Sequence, residues 1–152
     1  MDHDRLKPRS TISAGGGVMQ VHPDVRELGR RWFEEVWNQR RDESIDELMS
    51  ADSLGHLQNG EYRGPAGFRA MQATFLGALP DVHIEIEDIL ADGDRAAVRW
   101  RATGTHTGDT FGFEASKRGI DVRGTTWLIA RDGKIAEGWD TWDMTGMLAS
   151  LR

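Results

Sequence analysis

The chain has 152 residues, a formal net charge of −6, a pI of about 5.3 and no cysteine. That length supports one compact domain with a sizeable core, and the acidic balance excludes the electrostatic footprint of a nucleic-acid binder. Without thiols there are no disulfides, thiolate metal sites or cysteine nucleophile. No apolar run reaches membrane-span length and no apolar signal core opens the chain, so a cytoplasmic location with no membrane partner is expected.

Residues 1–20 are polar and Gly-rich, with Ser13-Ala14-Gly15-Gly16-Gly17 at their loosest. They carry no hydrophobic period and read as a disordered tail before a single domain over 21–152. Pro23 then opens a helix, with Asp24 and Glu27 at the positive end of its dipole. Val25, Leu28, Trp32 and Val36 recur at helical spacing, with Phe33 and Trp37 on an adjoining stripe. A short second helix is expected around Glu43 to Met49, with Ile45, Leu48 and Met49 facing inward. Ala51 to Gln58 reads as a short strand carrying His56, and Asn59-Gly60 as a turn. Gly64-Pro65 starts a third helix with Phe68, Met71, Gln72, Phe75, Leu76 and Leu79 along one face, ended by Pro80.

After Pro80 the period changes to two. Val82, Ile84 and Ile86 alternate with His83, Glu85 and Glu87. Asp92-Gly93 turns the chain into a long strand over 95–106, with Val98, Trp100, Ala102 and His106 on one face. Residues 107–119 form a loop-like excursion with a short strand near Phe111. Asp121 to Ala130 and Lys134 to Trp142 form a hairpin around Asp132-Gly133. Met144 to Leu151 closes the chain as a short helix. Helices followed by a run of strands define an α+β fold, a curved antiparallel sheet wrapped around the N-terminal helix to leave a cone-shaped pocket for a small apolar ligand.

Chemistry concentrates in Gly138-Trp139-Asp140-Thr141-Trp142-Asp143. Strand alternation places Asp140 with Ala136, Gly138 and Trp142, and sets Ile135, Glu137, Trp139 and Asp143 on the other face. A carboxylate among small residues and indoles loses hydration, its pKa rises, and it becomes a proton shuttle near neutral pH. The competing reading is an Asp that bonds a neighbour or caps the last segment. His106, at the end of the long strand, is the second catalytic candidate, against a histidine bonded to backbone. His56, in Leu54-Gly55-His56-Leu57-Gln58, is expected to face a pocket or the core. Trp37, Trp100 and Trp142 are candidates for the pocket wall, with Phe33, Phe75 and Thr126 as further contacts. Trp32 reads as core. Trp127 and Trp139 fall on the opposite sheet face from Thr126 and Asp140, and burial in a homodimer through that face would cover them. Metal-ligand spacings, Gly-rich phosphate loops and a Gly-x-Ser-x-Gly elbow are all missing, so neither metal nor cofactor is expected.

Five segments taken in order carry a resemblance. They are Trp32-Phe33-Glu34-Glu35-Val36-Trp37-Asn38, Tyr62-Arg63-Gly64-Pro65-Ala66-Gly67-Phe68, Gly104-Thr105-His106-Thr107-Gly108, Asp132-Gly133-Lys134-Ile135 and Trp139-Asp140. From about Val25 to the C-terminus the chain resembles the SnoaL-like polyketide cyclases, within the nuclear-transport-factor-2-like superfamily. The resemblance implies a curved sheet, a conical pocket and frequent dimers. It also implies that Asp140 matches the acid/base Asp of an intramolecular aldol closure. Thr126 stands where those cyclases carry an assisting histidine, and Phe111-Gly112-Phe113-Glu114-Ala115-Ser116 lacks a proline common there. The superfamily includes isomerases, epoxide hydrolases, dehydratases and plain binding proteins. The expected function is therefore a cofactor-independent enzyme on a small or polycyclic apolar carbonyl compound, by aldol-type cyclisation or isomerisation. A non-catalytic small-molecule binder and an epoxide hydrolase are the alternatives.

Overall fold

The computed structural model describes residues 24–152. The expected tail and Pro23 lie outside the described residues. Four α-helices and one six-stranded sheet make up the domain, in the strand order β2-β1-β6-β5-β4-β3. The strands are β1 (Met49–Leu57), β2 (Gly60–Arg63), β3 (His83–Asp92), β4 (Arg95–Thr105), β5 (Gly119–Arg131) and β6 (Lys134–Trp142). All neighbours are antiparallel except β1 and β6, which run parallel and make the sheet mixed. The sheet curves without closing, and the helices pack on its concave face.

Helix α1 (Val25–Arg31) begins where Asp24 accepts a hydrogen bond from the Glu27 N–H at 2.8 Å. The amphipathic period that predicts one continuous helix is interrupted in fact. Trp32–Asn38 winds as a π-helix, with the Gln39 N–H donating to the Glu34 carbonyl at 2.8 Å. The wider turn lets Trp32, Phe33 and Val36 all be buried. Asn38 ends the segment by acting as a piece of backbone. Its side-chain carbonyl accepts from the Ile84 N–H and its amide donates to the Ile84 carbonyl, both at 2.8 Å. Strand β3 is a sheet edge, and this pair satisfies part of it.

Helix α2 (Asp42–Leu48) stops one residue earlier than its apolar pattern predicts, because Met49 already pairs with Ile135 in β1. Helix α3 (Gly64–Ala78) carries Pro65 in its first turn and buries Phe68, against which Trp32, Trp37 and Tyr62 all pack with ring centroids 4.6–5.7 Å away. The β5–β6 hairpin turns at Asp132 and Gly133, which both have positive φ, as a type I′ turn requires. Residues 107–118 form a loop, and no strand is present near Phe111. Helix α4 (Met144–Leu151) is capped by Asp143, which accepts from the Gly146 N–H at 2.9 Å. None of the described helices is long and apolar enough to cross a membrane.

Three register shifts fall within the sheet. Bulges bend strands, and here they help to cup the sheet around α1 and α3. The shift at Ile129/Ala130 has a second effect. Ala130 faces Ile135 whereas Ile129 faces Glu137, so Ala136 is the extra residue. Ile135 therefore joins the concave face, where it is 5% exposed, instead of sharing a face with Glu137 as strict alternation predicts.

Because Asn38 supplies both partners of Ile84, Asn38→Ala should lower stability by about 1–2 kcal/mol in urea unfolding. An unchanged midpoint would show that water replaces both bonds at no cost.

Candidate active site

The concave face and the helices enclose one apolar cavity. Phe33 and Trp37 reach it from the π-helix, Phe75 from α3, and Trp100 and Trp142 from β4 and β6. Thr126 on β5 and Asp140 on β6 also line it. These two face each other directly across the hairpin. Helix α4 contributes Met144 and Met147, and Gln58 latches that helix down. The Gln58 side-chain carbonyl accepts from the Met144 N–H at 3.0 Å, and its amide donates to the Thr145 hydroxyl at 3.1 Å.

Asp140 is the sole carboxylate among the residues lining this cavity. A short chain of donors holds it. The Trp100 indole N–H donates to the Thr126 hydroxyl oxygen at 2.9 Å, and the Thr126 hydroxyl donates to Asp140 Oδ1 at 2.6 Å. Oδ2 takes no hydrogen bond from the described residues and has no cation beside it. Loss of water raises the Asp140 pKa to about 6, and the Thr126 bond opposes that rise only in part. The carboxyl group can thus both accept and return a proton near neutrality.

The sequence-based candidates separate into two groups. Trp37, Trp100, Trp142, Phe33, Phe75, Thr126 and Asp140 come together around the cavity. His106 and His56 do not. The strand β4 ends at Thr105, one residue before His106, so alternation no longer governs where the ring goes. His106 is fully buried beside Phe111 and Phe113, with ring centroids 5.8 and 5.2 Å away. Its Nδ1 accepts from the Ser116 N–H at 3.0 Å and lies 2.9 Å from the Ser116 hydroxyl. Its backbone bonds Lys117 and Arg118, so it pins the 107–118 loop. His56 pairs with Trp139 in the parallel register and shares that residue's outer face. There it stacks on Trp139 at 4.9 Å and bonds Glu61 and Glu137 at 3.1 and 2.7 Å. The expectation that His56 faces the pocket is corrected by this register.

Sequence reasoning passed over Ser53 and Tyr62, which also line the cavity. Tyr62 reaches the cavity over Gly55, its partner across the β1–β2 pair, and Ser53 lies in an irregular part of β1 where alternation gives no sequence signal. Among the described residues no cluster of His, Asp and Glu side chains has the arrangement of a metal site.

The curved sheet of this α+β domain holds one desolvated carboxylate in an apolar hollow. The sequence pattern of the SnoaL-like polyketide cyclase family matches residues 27–151, and the chain belongs to that family. No curated protein matches the chain. Among solved structures, a proposed SnoaL-like polyketide cyclase from Jannaschia sp. CCS1 shares the fold at a TM-score of 0.79 and 21% identity, covering 90% of this chain and 97% of that one. A proposed polyketide cyclase from Acidithiobacillus ferrooxidans is 25% identical with a TM-score of 0.70, over 88% and 98% of the two chains. AclR, a proposed hydroxylase from Streptomyces galilaeus, is 26% identical with the same TM-score of 0.70, over 82% and 83%.

The sign of the Asp140 effect on stability follows from its raised pKa. An unfolded Asp titrates near 4, so between about pH 4 and 6 the folded state holds a proton that the unfolded state has lost. Stability should fall across that window and then stay lower by up to about 3 kcal/mol. Asp140→Asn should abolish the fall and be the more stable protein at about pH 8 in urea unfolding. Thr126→Val removes a bond that favours the charged form, so it should extend the fall above about pH 6. Coincident stability–pH curves for all three proteins would show that Asp140 is well solvated.

Proposed function

We propose that this protein is a cofactor-independent acid/base enzyme acting on a small or polycyclic apolar carbonyl compound, by aldol-type cyclisation or isomerisation. The observation that carries the reading is Asp140 itself, with one oxygen fixed by Thr126 and the other unbonded among apolar cavity walls. Asp140 Oδ2 removes a proton from a carbon next to a carbonyl, and the C–H electron pair forms the enolate. The enolate carbon attacks an internal carbonyl, or the enolate is reprotonated at another carbon. In the first case the new alkoxide takes the proton from Asp140, and in both cases the carboxylate is regenerated. Thr126 holds the carboxylate and does not act as a base, since its hydroxyl stays protonated. His106 takes no part, because it lies outside the cavity lining.

Two features favour this enzyme reading over a non-catalytic binder. A structural acceptor Asp would have its hydrogen bonds filled and an ordinary pKa, whereas Asp140 has one partner and a pKa of about 6. The aromatic walls, including Trp100 and Trp142 with ring centroids 6.2 Å apart, supply a dry surface on which a flexible or ring-bearing substrate is oriented. We further propose a homodimer that covers the outer sheet face, where Trp127 is 44% exposed opposite Trp139.

Asp140→Asn should lower turnover of an enolisable ketone or keto-ester substrate by about 10²–10⁴, with substrate binding largely kept. Single-turnover kinetics with deuterium at the acidic carbon checks the step. Equal rates for the variant and the parent would remove Asp140 from the chemistry.

A further inference from the structure

The cavity as it stands is too small for the ligand proposed above. Its volume is about 100 Å³. Sites that hold ring-bearing small molecules measure about 300–1,000 Å³. A wall must therefore give way on binding, and the walls differ in how firmly they are held. The strands are paired throughout the sheet. Asn38 ties the π-helix to Ile84, and the buried Gln72 of α3 donates to the Val36 carbonyl at 3.0 Å. The end of α3 is gripped by the 107–118 loop. There the Thr107 and Gly108 N–H groups donate to the Ala78 carbonyl at 3.1 and 3.2 Å, and the Thr110 hydroxyl donates to the Thr74 carbonyl at 2.6 Å.

Helix α4 is the exception. Among the described residues no backbone hydrogen bond joins it to another element. Its polar attachments come from exposed side chains at its two ends. Gln58 holds the Met144 N–H and the Thr145 hydroxyl at the start. At the other end Arg118 donates to the Ser150 and Arg152 carbonyls at 3.0 and 3.4 Å, and the Arg152 guanidinium lies 4.4 Å over the Phe113 ring. Exposed bonds of this kind contribute little net free energy, because water replaces them. Only Met147 and Leu151 of α4 are buried. Eight residues, with a glycine at Gly146, are too few to stay helical alone in water. The segment can therefore open locally without disturbing the sheet. Its inner face is also soft. All four methionines among the described residues line the cavity, and Met144 and Met147 belong to α4. Such unbranched thioether side chains adapt to irregular shapes and make favourable contacts with aromatic rings.

We infer that α4 is the movable wall through which the ligand enters the cavity. It releases about Asp143 when the Gln58 and Arg118 contacts break, admits an apolar ring-bearing compound, and closes again with Met144 and Met147 fitted to it. This rests on the apolar-ligand part of the proposed function and not on the proton chemistry of Asp140. Entry is then limited by the opening of α4, so the rate of association follows the strength of its two end contacts.

Hydrogen exchange reads the opening, and prodan, a naphthyl ketone whose fluorescence reports an apolar site, reads the entry. In the wild type the α4 amides should exchange about tenfold or more faster than those of β4 and β5, in urea too dilute to unfold the domain. Gln58→Ala combined with Arg118→Ala should speed both α4 exchange and prodan association about tenfold, with β4 and β5 unchanged. The chain has no cysteine, so a single pair can be introduced cleanly. Gln58→Cys with Thr145→Cys, bridged by a short bismethanethiosulfonate linker, ties α4 down. The bridged protein, with near-UV circular dichroism unchanged, should take up prodan about a hundredfold more slowly, and reduction of the linker should restore the rate. Equal association rates before and after reduction would overturn the inference. So would α4 amides that exchange only together with those of β4 and β5, or a wild type that binds no prodan. Failure of the Asp140 reading looks different: Asp140→Asn would keep full turnover while the bridged protein still took up prodan slowly.

Discussion

The desolvation of one carboxylate organises this domain. Asp140 sits where the last hairpin meets the helical layer, and taking it from water costs free energy that the fold does not offset with a cation. What it has instead is a single strong bond from Thr126, itself oriented by the indole of Trp100. That bond fixes the carboxyl plane and leaves the second oxygen unbonded. A guanidinium in its place would have held the pKa low and the proton chemistry out of reach near neutrality. The apolar walls around it, from Phe33 to Trp142, keep water away and so maintain the poise.

The scaffold explains how so short a chain builds that environment. The π-helix carries Phe33 and Trp37 into the cavity lining, and Asn38 ties the end of that segment to β3. Register shifts cup the sheet and bring Ile135 inside. Helix α4 lays Met144 and Met147 against the cavity, fastened by Gln58 from the β1–β2 turn. Polar residues inside the hollow are few, and each sits on the sheet side or its turn: Ser53, Gln58, Tyr62, Thr126 and Asp140. The two faces of the sheet have separate chemistry, with His56, Glu137 and Trp139 outside and Asp140 inside.

Much of this was legible in the sequence, and the failures have physical reasons. Alternation along β6 put Asp140 with Gly138 and Trp142 and apart from Trp139, because regular pleating holds over that stretch. It misplaced Ile135 because a bulge is not visible in a hydrophobic pattern. The Asp132-Gly133 turn was legible because its backbone demands particular residues. The π-helix was not, since its apolar spacing also satisfies an α-helix. His56 was misread because Leu54 and Leu57 gave its strand an apolar look on both sides, and the parallel partner that fixes its outer face, Trp139, lies on β6, far along the chain. Whether His106 shared the Trp100 face depended on where the strand ended, which is set by the loop that folds back over it. Ser53 belongs to no motif and Tyr62 entered only as part of a family segment, and it is the folded chain that brings both to the cavity lining.

Family membership accounts for the architecture, and within the site Thr126 lies directly across from Asp140. Asp140 is the sole carboxylate of the cavity lining, and its proton affinity decides whether it can carry a proton near neutrality. Carbon-13 NMR of protein labelled at the Asp carboxyl carbons, with Asp140→Asn to assign the resonance, measures it directly. The account predicts a titration midpoint of about 6 for Asp140. A midpoint near 4, where a hydrated Asp titrates, would contradict it.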